Sequence, residues 1–372
     1  MDADQVGRLT ARWVESLPGE GSTVVSGLGV WPLLAILAEV ADEPARTELA
    51  EAAGGPYAGL LQAPELRIAL GLWTRPDIPL QPDLDRLVPP EVRGVLTDQA
   101  TLDAWVTEKT GGLLNRMPIE LTSDLLLLLA SALALETTWR LPFGEGGRPV
   151  GDVLKRWLSR LDHDLETIRR FDTAVGPLTA VTVRGVGEFD VRLFVGRPDR
   201  ARNAVLAAAL RVTGEGVGAA ELLRGVESPA VVVVETSRPE PSLHLSLPYF
   251  EVRASHDLLS QREIFGLKTA TDCTRGHFPG LSPAPLCVTD AQQTAMAEFS
   301  ARGFKAAAVT AIGMSASGRV PEPGRALSVD LDQPFAFIAV HRPTGIPVVA
   351  GWVAADAYRD AERPTRRGSR GR

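Results

Sequence analysis

The run Leu125–Leu135, LLLLLASALAL, carries no charge and no alternation of polar and apolar positions. A strand with one wet face alternates, so a continuous apolar run must be covered on both faces, as a central strand is. It is too short to span a bilayer, which takes roughly 20 residues. The chain therefore needs a sheet with this run near its middle and material over each face. With 372 residues, 45% of them hydrophobic, it is long enough to supply that cover. Further strands are expected at Leu66–Trp73, Leu178–Val183, Val191–Val195, Val231–Val234, His244–Leu247, Phe250–Val252, Leu286–Thr289, Phe335–Val340 and Pro347–Val353. Helical spacing of apolar residues marks Val6–Leu17, Leu33–Val40, Asn203–Leu210, Glu221–Leu223 and Asp257–Phe265. Pro44 opens another short helix that Gly54–Gly55 closes, and Gly111–Gly112 ends one over Leu102–Leu113. Helices and strands mix without a βαβ rhythm, which predicts an α+β fold.

Composition and motifs exclude more than they assign. A net charge of −7 argues against nucleic acid as a partner. The acidic start MDADQVGRLTARWVESL has neither the basic nor the apolar region of a signal peptide, so a cytoplasmic protein is expected. The Pro/Gly-rich stretch Gly313–Arg325 is followed mostly by strand, so a single domain over 1–360 is expected, ahead of a basic, disordered tail at 361–372. Cys273 and Cys287 make no disulfide framework, and with His277 they fall short of a zinc set, which needs a fourth ligand. No nucleophile elbow, P-loop or HExxH motif occurs. GEGVG at Gly214–Gly218 lacks the dinucleotide spacing, and Asp162-His163-Asp164 sits in a charged, turn-like stretch. The expectation is a protein that is not an enzyme and holds no metal or cofactor.

Gly303–Gly318, GFKAAAVTAIGMSASG, fits neither of the usual segment types. It is too apolar for a solvated loop and too small-residued for an ordinary buried strand. A segment of this kind can be loop in one state and strand in another.

Several stretches, in this order, resemble the serpin family. Asp103–Leu114, DAWVTEKTGGLL, is similar to the family's NxWVxxxTxGxI helix. Leu125–Phe143 looks like the strand ending in WxxPF, with Trp139, Pro142 and Phe143 in place. LHLSLPYFEV at Leu243–Val252 is similar to the LPxFxI strand pair, and IFGLKTATD and HFPGLS to the LGMxxAF and FSGIS pieces. Leu286–Gly303 looks like the strand that leads to the reactive loop, and Asp332–Val353 like the C-terminal strands, with Pro334, Phe335, Thr344 and Gly351 matching. The resemblance runs from about Val24 to Asp356 and is weakest over Gly146–Ser228. It implies a single-domain serpin fold with three β-sheets, about eight to nine helices and an exposed reactive loop. It also implies a mechanism. A serine (possibly cysteine) protease cleaves the loop and is acylated; the loop then inserts in the central sheet and traps it. By the same analogy the chain is a monomer with no nucleic-acid or membrane partner, and an extracellular location is the alternative to a cytoplasmic one.

The resemblance also assigns residues. Gly303, Phe304, Lys305, Ala306, Ala307, Ala308 and Thr310 would be the hinge, with Phe304, Ala306, Ala308, Thr310 and Ile312 facing inward on insertion. Phe304 stands where the family has Thr or Ser. As the first inward residue it should slow insertion, overpacking costing about 1–3 kcal/mol. Ala301 replaces a usual Glu. In the region that gates sheet opening, which includes Ser26 and Trp139, Ser131 replaces Asn, Gln293 replaces a frequent His, and Gly27 and Gly29 stand for Pro and Ser. Counting along the family pattern puts the scissile bond at Ser317–Gly318 or near Pro323. Arg319–Val320 would suit a trypsin-like protease, Ser317–Gly318 an elastase- or subtilisin-like one, and Met314–Ser315 is a third site. Arg319 equally serves as a solvated loop residue. A suicide inhibitor is the favoured reading; the alternative is a non-inhibitory binding or structural protein whose loop is only a substrate.

Overall fold

A computed structural model describes residues 3–112, 115–117, 119, 121–122, 125–304 and 324–361. Its centre is a seven-stranded sheet in the order Arg93–Val95, Leu66–Thr74, Leu127–Leu135, Asp290–Phe299, Gly303–Phe304 and Thr137–Thr138, with Phe250–Asp257 on the far edge of Asp290–Phe299. The apolar run lies where its pattern requires, in the middle, and every residue of Leu127–Leu135 except the half-buried Leu133 is buried. One face is covered by the helix Gly27–Val40, in which all residues but Glu39 are buried. Trp73, Leu102, Val106, Leu128, Ala130 and Ala132 form a second apolar cluster, in which the helix Gln99–Thr110 covers the other face.

Two further sheets complete the body. One has seven strands, in the order Thr23–Val25, Pro347–Val353, Phe335–His341, Phe189–Val195, Gly176–Arg184, Ile168–Thr173 and Val217–Gly218. The other has five: Val231–Thr236, Gly324–Asp330, Ser242–Pro248, Val153–Asp162 and Gly144–Val150. Gly324–Asp330, the strand after residues 305–323, is paired on both edges, antiparallel to Val231–Thr236 and parallel to Ser242–Pro248.

The structure corrects the expected helix content. The described residues hold six α-helices, Ala3–Ser16, Gly27–Val40, Ala45–Ala53, Gln99–Thr110, Arg202–Leu210 and Ala219–Leu223, not eight or nine. Asp257–Phe265 is not an α-helix. His256 and Asp257 pair with Gln293 and Gln292 and extend a strand, and only a single 3₁₀ turn, Leu259–Gln261, follows. Ladder pairing outweighs the local helical spacing there. Leu286–Thr289 lies ahead of the strand that begins at Asp290 and is itself outside the ladder. The two cysteines are joined, Cys273 to Cys287, with Cα atoms 5.2 Å apart, so neither offers a thiolate to a metal.

Candidate functional site at the seam of the central sheet

Leu127–Leu135 and Asp290–Phe299 run parallel, and their register covers Leu128–Ala132 against Asp290–Thr294. Beyond Thr294 the next strand, set between Asp290–Phe299 and Thr137–Thr138, is short. Ser300–Arg302 reverses the chain, and Gly303–Phe304 returns antiparallel, Phe304 opposite Phe299 on one side and Thr137 on the other. The sheet is thus closed below by five residue pairs and closed above by two residues of the segment that leads to the loop. Leu133–Glu136 and Ala295–Glu298 flank the interval between the two closures.

The upper closure is apolar and tight. Phe304 is 1% exposed and lies 6.0 Å from the Phe337 ring. Phe299 stacks between Trp139, at 4.7 Å, and Phe250, at 5.4 Å. Trp139 donates from its indole nitrogen to Ser300 O at 2.9 Å and from its backbone to Arg302 O at 2.8 Å. Ser300 Oγ accepts from Gly303 N–H at 3.2 Å and donates to Gly303 O at 2.9 Å. A side chain at Gly303 would overlap the Thr137 carbonyl, so only glycine lets the returning strand approach so closely.

The lower closure is polar and sits at the buried start of the helix Gly27–Val40. Ser26 caps that helix, its Oγ accepting from Gly29 N–H at 3.1 Å and donating to Val348 O at 2.7 Å. Gln293, 2% exposed, clasps the backbone of the same residue: Ser26 N–H donates to Gln293 Oε1 and Gln293 Nε2 donates back to Ser26 O, each at 2.8 Å. Ser131 Oγ lies 3.5 Å from Gln293 Nε2, and the two residues are register partners across the seam. A Cβ at Gly29 would stand 3.0 Å from Gln293 Nε2 and 3.1 Å from Ser131 Oγ, so the helix presents glycine where the amide must fit.

Of the residues singled out from the sequence, Ser26, Ser131 and Gln293 form one cluster, and Trp139, Gly303 and Phe304 form the other. Lys305, Ala306, Ala307, Ala308, Thr310, Ser317, Gly318, Arg319 and Val320 lie outside the described residues, as does the tail from 362. Phe304 was expected to be the first residue to enter the sheet after cleavage, but it is already inside. Sequence pattern does not reveal this, because Phe304 pairs with Phe299 and packs against Phe337, the latter 33 residues away. Ser300, which ties the reversal, and Thr137, which receives it, were not singled out. A Ser three residues before a Gly at a strand reversal is the only signal that pointed there.

Residues 228–355 match the family model described as serpin (serine protease inhibitor). Over those residues the chain matches the serpin family, and its fold over nearly its whole length is the serpin fold. Among solved serpin structures, that of the thermophilic serpin tengpin is 14% identical, superposes with a TM-score of 0.71 and covers 95% of this chain and 93% of its own. A serpin from the trematode Schistosoma haematobium is 14% identical, with a TM-score of 0.68, 94% of this chain and 98% of its own being covered. Human thyroxine-binding globulin, solved in complex with thyroxine, is 15% identical, with a TM-score of 0.67 and coverage of 94% and 96%. No curated protein sequence matches the chain.

Proposed function

We propose that this chain is a serpin that acts as a suicide inhibitor of serine proteases, its loop cleaved within residues 305–323 and inserted at the seam while the protease is held as an acyl-enzyme. The observation that carries this reading is the antiparallel pairing of Gly303–Phe304 at the head of the seam, which sets direction and register for whatever follows. Continuing that register, Lys305 would fall between Glu136 and Glu298, on the outer face where Glu136 is exposed. Ala306 would meet the buried Ala297, and Ala308 the buried Ala295. Thr310 would arrive between Ser131 and Gln293, at the polar closure itself. Small inward residues therefore meet small inward residues until the point where the five lower pairs must part. Insertion replaces one parallel pairing with two antiparallel ones, a net gain of hydrogen bonds worth roughly 0.5–1.5 kcal/mol each.

The position of Phe304 removes it as an obstacle to insertion. Its packing is complete before cleavage, so it fixes the starting register and does not have to be forced in later. The fold by itself is shared with thyroxine-binding globulin, so the second reading is a non-inhibitory binding or structural protein whose loop is only a substrate. Incubation with elastase-, subtilisin- and trypsin-like proteases separates the two. An inhibitor gives complexes that survive denaturing gels, with the new terminus inside 305–323 by mass spectrometry. Clean loop cleavage with full protease activity sinks the inhibitor reading and leaves the second.

A further inference from the structure

The Cys273–Cys287 bridge lies at the foot of the seam. Cys287 is 2% exposed and stands three residues ahead of the strand Asp290–Phe299, whereas Cys273 is exposed. Between them the chain wraps the C-terminal end of the helix Gly27–Val40. Asp42 N–H donates to His277 O at 2.9 Å and Gly280 N–H donates to Val40 O at 3.0 Å, with Phe278, Leu281 and Leu286 buried beneath. The other end of that helix carries Ser26 and so holds Gln293. Both ends of one helix are therefore tied to one strand, by hydrogen bonds at its N-terminal end and through a cross-linked loop at its C-terminal end.

The foot also touches the opposite strand. Thr289 N–H donates to Leu127 O at 3.3 Å, and Thr289 Oγ1 lies 3.2 Å from Leu127 O and from Leu126 N. When the seam parts, residues 287–289 either stay with the helix or travel with Leu127. On the helix side, Val288 N–H donates to Ala270 O at 2.8 Å, and the bridge to Cys273 adds a covalent tie to that contact. An exposed sulfur with a buried partner is also the arrangement a reductant can reach from one side.

We propose that the Cys273–Cys287 bridge is a redox control on sheet opening, which rests on the loop-insertion reading above. Bridged, it holds the foot of Asp290–Phe299 on the helix while Leu127 leaves. Reduced, residues 287–289 follow Leu127, the lower pairs yield one at a time, and insertion slows. The reductant is a dithiol. One thiolate attacks Cys273 Sγ and expels the Cys287 thiolate, which takes up a proton. The second thiol then closes on the mixed disulfide and frees Cys273. The dithiol leaves as a cyclic disulfide, and two electrons and two protons pass to the cysteines.

The test uses the full chain, bridged or reduced with dithiothreitol, together with Cys273→Ser and the double variant Cys273→Ser/Cys287→Ser. The loop is nicked by a trace of a subtilisin-type protease, and the rise in melting temperature is followed over time. Before nicking, reduction should lower the melting temperature by about 4 °C, from the freedom returned to the opened loop of the denatured chain. After nicking, the rise should be at least threefold slower in the reduced chain and both variants than in the bridged chain, and dithiothreitol should change neither variant. Equal rates in bridged and reduced chains overturn the proposal, as does alkylation of either cysteine before reduction. If no form is stabilised by nicking, the insertion reading itself fails and this proposal with it.

Discussion

The two closures of the seam are built from opposite materials. The upper one is aromatic and dry: Phe304, Phe299, Phe337 and Trp139 pack around a two-residue strand. The lower one is polar and specific: one glutamine amide satisfies both backbone groups of Ser26. Apolar packing tolerates small shifts, because it is not directional, so the upper closure can keep its contacts as the sheet adjusts. The paired amide hydrogen bonds cannot be half made without leaving buried groups unsatisfied. The contrast makes the upper end a fixed point and the lower end a latch.

Substitutions can break or sharpen that contrast. The largest effect is expected for Phe304→Ala, which empties a buried aromatic site and should cost about 3 kcal/mol in urea unfolding. Phe304→Thr should lose nearly as much stability in the uncut chain yet still form protease complexes, with more of the chain diverted to simple cleavage. Next comes Gln293→Leu, which orphans Ser26 N–H, leaves Ser26 C=O with only its bond from Gly29 N–H and should cost about 2 kcal/mol. Gln293→His keeps a donor and should cost less. A Gln293→Leu chain less stable than Phe304→Ala would show that the latch, not the aromatic end, holds the sheet. Ser300→Ala removes both ties of Ser300 Oγ to Gly303 and should cost about 1 kcal/mol, while speeding proteolysis near Gly303.

The smallest effect is at Asp290, the lowest pair of the seam. Burial raises its pKa, and the nearby Asp257 carboxylate adds to this, while hydrogen bonds from Gln292 and the Ala291 backbone oppose it. A carboxyl whose folded pKa is raised favours the fold when protonated, and that contribution is lost as pH rises through the acid range. Asp290→Asn should therefore melt slightly higher than the parent at pH 7, with the gap closing below about pH 4. A gap that persists at low pH would place the effect in packing, not charge.

How much of this was written in the sequence depends on the range of each contact. Leu127–Leu135 announced itself because a doubly covered strand needs no partner to be recognised. Gly54 and Gly111 ended their helices as expected, both with positive φ. Gly144–Val150 was missed: its GEGGRPV has no apolar alternation, and it holds only one edge of its sheet by pairing with Val153–Asp162. The residues of the lower cluster could be named from the family resemblance. That a glutamine and two small residues rebuild a complete set of hydrogen bonds there could not, because it depends on Gly29 leaving room. The bridge was not expected either, since two cysteines 14 positions apart carry no pairing pattern.

The double embrace of Gly324–Asp330 has one more result. A cut anywhere in 305–323 makes two polypeptides, and the smaller carries Gly324–Asp330, Phe335–His341 and Pro347–Val353, strands interior to two sheets. Neither piece can leave without opening both sheets. The severed protein therefore keeps one mass in native conditions and shows two only when denatured, and the freedom a cut confers is confined to the two new ends.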